Sequence, residues 1–325
     1  MNGMLTVLKA NRRLLLPGIL IITTLMACSS PISEADRAAA RRAHVSAPAK
    51  ESLPLTAVVA NLSYSGIYDE AVTLTDGRWE GAPFVEGGAS RPAVGLVDDF
   101  ILSGDLDGDG NDEVVAILWE NSGGSGTNMY IAVVGNREGH NANLGAALVG
   151  DRVQLRSGRI HNARVELDIV QQGPKDAACC PSQLARRSWK LGADGLQEGQ
   201  ADITGTLSIS ELAGKEWVLT NLQMGKVLRA GLGATLKFEG NRISGYSSCN
   251  NYFASVQPGE MPGDITVTGI GNTRIACPQA LMSFENSYLN ALGNVTRYGF
   301  LNGRLALTWQ QDGAVNTILF LPVSN

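Results

Sequence analysis

A chain of 325 residues has room for two ordinary domains, and its 44% hydrophobic content supplies enough apolar surface to bury in them. Only 18% of residues are charged and 6% aromatic, 38 are glycine, and the formal net charge is −5. That balance excludes a disordered chain, a coiled coil and a basic nucleic-acid binder. Three histidines are too few for a His-rich metal or proton-relay site, and five cysteines leave one without a partner inside the chain.

The N-terminus accounts for the odd cysteine. Lys9, Arg12 and Arg13 precede an apolar run from Leu14 to Ala27. The run is short for a spanning helix, which needs about 20 residues, but suits the core of an export signal. It ends Leu25-Met26-Ala27-Cys28. This resembles the lipobox of bacterial lipoproteins, which implies that Cys28 is acylated and becomes the mature N-terminus. An ordinary signal peptide with a chance cysteine, or a short anchor, is the plainer alternative. Several acyl chains together anchor stably where one binds only marginally. Ser29 follows instead of Asp, which resembles the outer-membrane sorting pattern of enteric bacteria. The expected location is therefore the cell envelope, at the outer membrane facing the periplasm. Losing Lys9, Arg12 and Arg13 leaves 23 basic residues against 31 acidic ones, a net charge of −8. An exported compartment is oxidising, so the other four cysteines can pair.

Residues 29–60 hold Ala38-Ala39-Ala40-Arg41-Arg42-Ala43, three prolines and little apolar periodicity, which predicts a tether with a short helix at 34–42. From about Leu62 short apolar stretches alternate with Gly, Asp and Asn. Strands are expected at 72–75, ending at the turn dipeptide Asp76-Gly77, and at 114–119, 129–134, 153–155 and 164–170. A composition break near 197–205 separates a second unit, with strands at 216–219, 234–239, 242–245, 264–270, 304–309 and 317–321. Between them Leu281, Met282, Phe284, Tyr288, Leu289 and Leu292 repeat at helical spacing after Pro278. The expected fold is mainly β (α+β): two β-rich domains at 61–200 and 205–325, the second an antiparallel sheet with one packed helix.

The first unit carries one ligand-like motif. Asp105, Asp107 and Asp109 alternate before Gly110, Asn111 and Glu113. A hard cation such as Ca²⁺ takes six to eight oxygens, which alternate carboxylates plus a backbone carbonyl at Asn111 begin to supply. A regular EF-hand would place Glu where Ala116 stands, so this is not one. With Phe100-Ile101-Leu102 before it and Val114–Leu118 after it, the loop resembles the calcium loop of FG-GAP and integrin-type β repeats. A solvated acidic turn without metal is the alternative. Gly123-Gly124-Ser125-Gly126-Thr127 lacks the Lys of a phosphate loop and the last Gly of a hydrolase elbow, and reads as a strand connection. Cys179 and Cys180 are adjacent, either bonded to each other or to different partners; a structural role is favoured over a redox or metal switch. His140 and His161 have no matching ligands and read as surface residues. The stretch from Tyr64 through Cys180-Pro181 resembles a domain of uncharacterised exported bacterial proteins, and the resemblance brings no activity.

In the second unit Trp217 precedes Ile243-Ser244-Gly245, Cys249-Asn250-Asn251-Tyr252, then Asn272-Thr273-Arg274-Ile275-Ala276-Cys277-Pro278, a helix with Met282 and Glu285, and a last strand through Phe320. Over about 208–323 this resembles the META domain of HslJ-type heat-shock proteins. Ser248 departs from the pattern, which usually has Gly there. Cys249 and Cys277 end a loop of 29 residues whose closure would contribute about 3–4 kcal/mol in the chain-entropy model, or they are two buried free thiols. No histidine lies in the unit to activate a thiol. Asn250 is expected to cap backbone groups in a tight turn. The resemblance brings no catalytic residue. It implies an envelope or stress-associated role, linked in some members to heat shock, motility and antibiotic tolerance.

The expected function is a non-enzymatic envelope lipoprotein, membrane-held at Cys28, that binds an envelope protein and no nucleic acid, with Ca²⁺ as a candidate structural ion. A periplasmic protease inhibitor is the second reading. A weak hydrolase or redox protein using the Asp loop or Cys179-Cys180 is the third.

Overall fold

The computed structural model describes residues 55–226 and 228–323. All of them fall in one compact unit, Leu53–Asn325. The expected signal and lipidation segment 1–28, with Cys28, and the tether up to residue 54 lie outside the described residues. Among the described residues no helix is long and apolar enough to cross a membrane.

The fold is mainly β, as the turn-rich texture predicts. Helix α1 (Leu55–Val59) and the strand pair β1 (Ser63–Tyr64) and β2 (Val72–Thr73) come first. The last residues of the expected tether are thus folded: Val59 is fully buried, and its carbonyl accepts a 2.7 Å hydrogen bond from the Tyr64 hydroxyl. Apolar contact decided this, since 55–59 carries four apolar residues that a composition average over 29–60 hides.

Next comes an antiparallel meander of β3 (Arg78–Glu80), β4 (Ala93–Gly104), β5 (Glu113–Asn121), β6 (Asn128–Arg137) and β7 (His140–Asp151). Its central strand β5 reads Val114-Val115-Ala116-Ile117-Leu118 without alternation because both faces are covered. Val114, Ala116 and Leu118 pack with Val59, Tyr64 and Leu74 on one side. Val115 and Ile117 pack with Leu167, Ile169 and Trp189 on the other.

Those last residues come from a second sheet: β8 (Gln154–His161), β9 (Arg164–Gln171), β10 (Gln183–Gly192), β11 (Gly195–Glu198) and β12 (Asp202–Thr206). Both β11 and β12 pair with β10, so the segment read as a composition break contributes strands. Strands β7 and β10 carry too many polar and glycine residues to show in apolar periodicity.

A 3₁₀ turn (Ile209–Leu212) leads into an eight-stranded antiparallel sheet. It comprises β13 (Glu216–Asn221), β14 (Thr235–Glu239), β15 (Arg242–Tyr246), β16 (Asn251–Pro258), β17 (Ile265–Asn272), β18 (Val295–Leu301), β19 (Arg304–Gln311) and β20 (Ala314–Pro322). The helix α2 (Gln279–Gly293) lies between β17 and β18 in sequence, where the helical spacing from Pro278 to Leu292 places it. Here burial alternates along the strands, as on β16, because only the inner face is covered. The sheet curls until its two outer strands meet. Asp264 and Arg297 form an antiparallel bridge, the Tyr298 N–H donates to Gly263 O at 2.8 Å, and the Arg297 guanidinium meets Asp264 at 3.0 Å. Closure of this kind leaves few unpaired edge groups. Phe284, Tyr288, Ala291 and Leu292 of α2 join the inner core with Trp217 and Phe320.

Gly245 is required by close approach. A Cβ there would fall on the Thr235 carbonyl oxygen, which also accepts the Tyr252 hydroxyl at 2.8 Å. Gly245→Ala is therefore expected to cost about 3 kcal/mol, read as a lowered denaturant midpoint with the slope unchanged.

Candidate functional site

The Asp loop joins β4 to β5. Its side chains fold it by capping its own backbone. Asp105 accepts from Gly108 N (2.7 Å) and Gly110 N (3.1 Å), Asp107 from Asp109 N (3.0 Å), and Asp109 from Asn111 N (2.7 Å). Gly108 and Gly110 sit at φ +85° and +86°, the left-handed region that glycine enters without strain. The outcome is that carboxylate oxygens of Asp105, Asp107 and Asp109 lie within 4.8 Å of one another. Hydrogen bonds from Asn111 hold the Asp109 carboxyl below its ordinary value.

Glu113 is placed differently. It is 3% exposed and accepts the Leu106 N–H at 2.7 Å, stapling the loop from beneath. Burial, with the charges of Asp107 and Asp109, pushes its carboxyl up. The Asn111 side chain turns back to Asp109 at 3.1 Å. The trio of aspartates is an all-oxygen donor set with no cationic side chain paired to it among the described residues, which fits a hard cation. An ion there would be held by Asp105, Asp107 and Asp109, and would cross-link the loop by neutralising like charges.

The other motifs of the first unit are structural in placement. The 123–127 connection is fastened by Asn121, whose side chain bonds Gly123 N and Gly126 O, each at 2.7 Å. His140 and His161 are exposed at strand ends. Cys179 and Cys180 are bonded to each other, in a loop organised by Asp176. Asp176 accepts from Gly173 N (2.7 Å), Ser182 N (2.6 Å) and Ser182 Oγ (2.7 Å). Nothing in the local pattern of the sequence marks Asp176, because the groups that it binds only converge when the loop closes.

In the second unit Cys249 and Cys277 are bonded, with Cα atoms 6.0 Å apart. The bridge brackets Asn250, which is 3% exposed. Asn250 Oδ1 accepts from Thr273 Oγ1 and Ile275 N, each at 2.7 Å, so this side chain does cap backbone. It also reaches the helix. Glu285, 5% exposed, accepts Ser247 Oγ (2.6 Å), Asn250 N (2.8 Å), Asn250 Nδ2 (3.0 Å) and Asn272 Nδ2 (3.1 Å). Burial opposes its charge, but these donors outweigh burial and hold the carboxyl below the ordinary glutamate value. The sequence carried a signal for this: Glu285 lies on the apolar stripe with Leu281, Tyr288 and Leu292. Glu120 in the first unit is built alike. It accepts Tyr68 Oη and Asn128 Nδ2, each at 2.7 Å, together with Ser122 Oγ. Ser248 takes φ +69°, where glycine is the usual residue, and its hydroxyl is fastened to Gly233 N and O at 2.7 and 2.6 Å.

A family model described as META domain matches residues 210–321, so the C-terminal unit is a META domain. No curated protein matches the chain. A protein from Burkholderia xenovorans, solved by NMR, is 26% identical over 36% of this chain and 87% of its own, with a TM-score of 0.29.

Two outcomes follow from the geometry. Glu285→Ala leaves several buried donors unpaired and should cost about 3 kcal/mol. Because the folded carboxyl lies below its ordinary value, its contribution is present above about pH 4.3 and is lost as pH falls further. Thermal melts should fall less steeply with acid in Glu285→Gln than in the parent. For the Asp loop, Ca²⁺ should raise the melting midpoint relative to EDTA, and Asp109→Asn should reduce that rise. Equal midpoints in Ca²⁺ and EDTA would refute the cation site.

Proposed function

We propose that the chain is a non-enzymatic lipoprotein of the cell envelope, anchored through Cys28, that docks a partner protein and supports the envelope under stress. A META domain at 210–321 supports the envelope assignment. The buried Ser247, Asn250 and Glu285 of that domain are consumed in holding the fold, which suits a binding scaffold. The Asp105–Asp109 carboxylates serve a structural Ca²⁺ in this reading.

The observation that carries docking is the connection between β3 and β4. It puts Phe84 and Val85 57% and 71% into solvent. The tip is not loose: Phe84 N donates to Ser90 O at 3.1 Å and Gly88 N to Val85 O at 2.8 Å. A preorganised aromatic and aliphatic pair is the kind of anchor that fills a pocket on a partner. The same tip suits a periplasmic protease inhibitor, with Phe84-Val85 entering the protease cleft.

The test is in-cell photocrosslinking from position 85 followed by mass spectrometry. One dominant envelope protein is expected, lost in Phe84→Ala; a diffuse ladder of unrelated proteins refutes docking at this tip. A secreted protease that the purified chain inhibits would select the inhibitor reading. Cys28→Ala should move the chain from the membrane to the soluble fraction, and its retention in membranes would refute the lipid anchor.

A further inference from the structure

The META domain contains a cleft of about 430 Å³ between α2, the end of β19 and the 222–232 segment that joins β13 to β14. Leu222, Leu228, Leu232, Phe284, Ala291 and Trp309 supply its apolar lining, and polar side chains make up the rest. The leucines and Trp309 are partly buried and pack on the same core that α2 completes. Cleft and core are thus continuous, and the cleft floor is core surface left without a covering side chain.

The described residues of the segment that forms one wall, 222–226 and 228–232, are held by hydrogen bonds. Lys226 N donates to Gln223 O at 3.0 Å and Leu232 N to Arg229 O at 3.1 Å, giving two tight turns. Asn221 Nδ2 holds Lys226 O at 3.1 Å, and Gln223 Nε2 holds Asn316 Oδ1 at 2.7 Å. On the opposite side Asn290 of α2 bonds Gln311 of β19 at 3.1 Å. A cavity of this size, mostly apolar with a few polar groups, is what small-molecule sites look like.

A further feature indicates the occupant. Lys226 and Arg229 are exposed at the cleft, no acidic residue is among those lining it, and neither cation forms a salt bridge among the described residues. In a chain of net charge −5 this is a local positive site beside an apolar wall. We propose that this cleft binds a single-chain amphipathic anion, a free medium-chain fatty acid. The aliphatic chain lies on Leu222, Leu228, Leu232 and Phe284, and the carboxylate meets Lys226 and Arg229. The site stands independently of docking at Phe84 and Val85, which lie in the connection between β3 and β4.

The test is isothermal titration of the full chain carrying Cys28→Ala, so that no acyl chain of its own competes, with decanoate as the probe. Saturable one-to-one binding is expected. Lys226→Gln with Arg229→Gln should weaken it about five- to tenfold, since two exposed charge contacts are lost. Decanol, which has the same chain without the charge, should bind the parent more weakly by a similar factor. Ser287→Phe, at an exposed position on the cleft wall, should abolish binding with the melting midpoint unchanged. The proposal is overturned by absence of decanoate binding, by equal binding of decanol, or by parent-like affinity in the double variant, whose two positions are exposed and do not test the fold. Binding to phosphatidylglycerol vesicles without binding of decanoate would also overturn it, by assigning the cations to a lipid surface.

Discussion

A carboxylate buried without a cation governs the second half of this molecule. Glu285 sits inside the META core in the middle of the apolar stripe of α2, where an uncompensated charge would be costly. It is tolerated because four donors from two separate segments close on it: Ser247, both nitrogens of Asn250, and Asn272. Those donors stand on the turn before β16 and at the end of β17. Satisfying one charge therefore ties the helix to both strands. The Cys249–Cys277 bridge and the Asn250 caps on Thr273 and Ile275 fasten the same point covalently and by backbone. Helix, turn and bridge form one junction.

The first half uses the same device with different parts. Glu120 on β5 is 2% exposed and takes hydrogen bonds from Tyr68, Ser122 and Asn128. Here burial raises and the donors lower the carboxyl, and the donors prevail. Tyr68, in turn, has its hydroxyl pushed up by burial and by Glu120. A buried carboxylate fixed by neutral donors specifies position strongly, because any shift leaves a charge unsolvated.

The two halves are joined through β8. Its Gln154 accepts the Phe300 N–H at 2.9 Å, and the Leu155 carbonyl accepts Gly303 N at 3.0 Å. Arg156 reaches Glu211 at 3.2 Å while its guanidinium lies over the Phe300 ring, 5.2 Å from the centroid. Val170 and Leu184 of the second sheet enter the META core as well. The Arg297 that closes the curled sheet on Asp264 also lies 3.5 Å from Cys180 Sγ, so the seam of the sheet and the adjacent-cysteine loop are in contact.

Local chemistry determined a good deal of this from the sequence. Alternating burial on one-faced strands, the helical stripe after Pro278, the turn dipeptides and the Gly-x-x-x-Cys-Asn and Thr-Arg-x-Ala-Cys-Pro spacings all act within a few residues, so they are legible there. Ser248 is the instructive departure. The sequence shows only a lost glycine, whereas the left-handed φ and the two bonds to Gly233 explain how serine is accommodated. Strands β7, β10, β16 and β18 were not expected, because their pairing partners more than their own residues make them strands; on β16 the exposed Phe253 blurs the alternation. Glu285 was visible as a charge on an apolar stripe, but its donors lie 13 to 38 residues away in sequence and meet it only after the sheet curls. Glu113 was read as a ligand from its spacing, and only the fold shows it beneath the loop, bound to Leu106. The cleft beside Trp309 has no sequence signature at all. The sequence by itself determined the class of elements and the motifs that ride on turns. Tertiary structure decided which charges are buried, which donors satisfy them and where a cavity is left, because each of those depends on groups far apart in the chain arriving at one place.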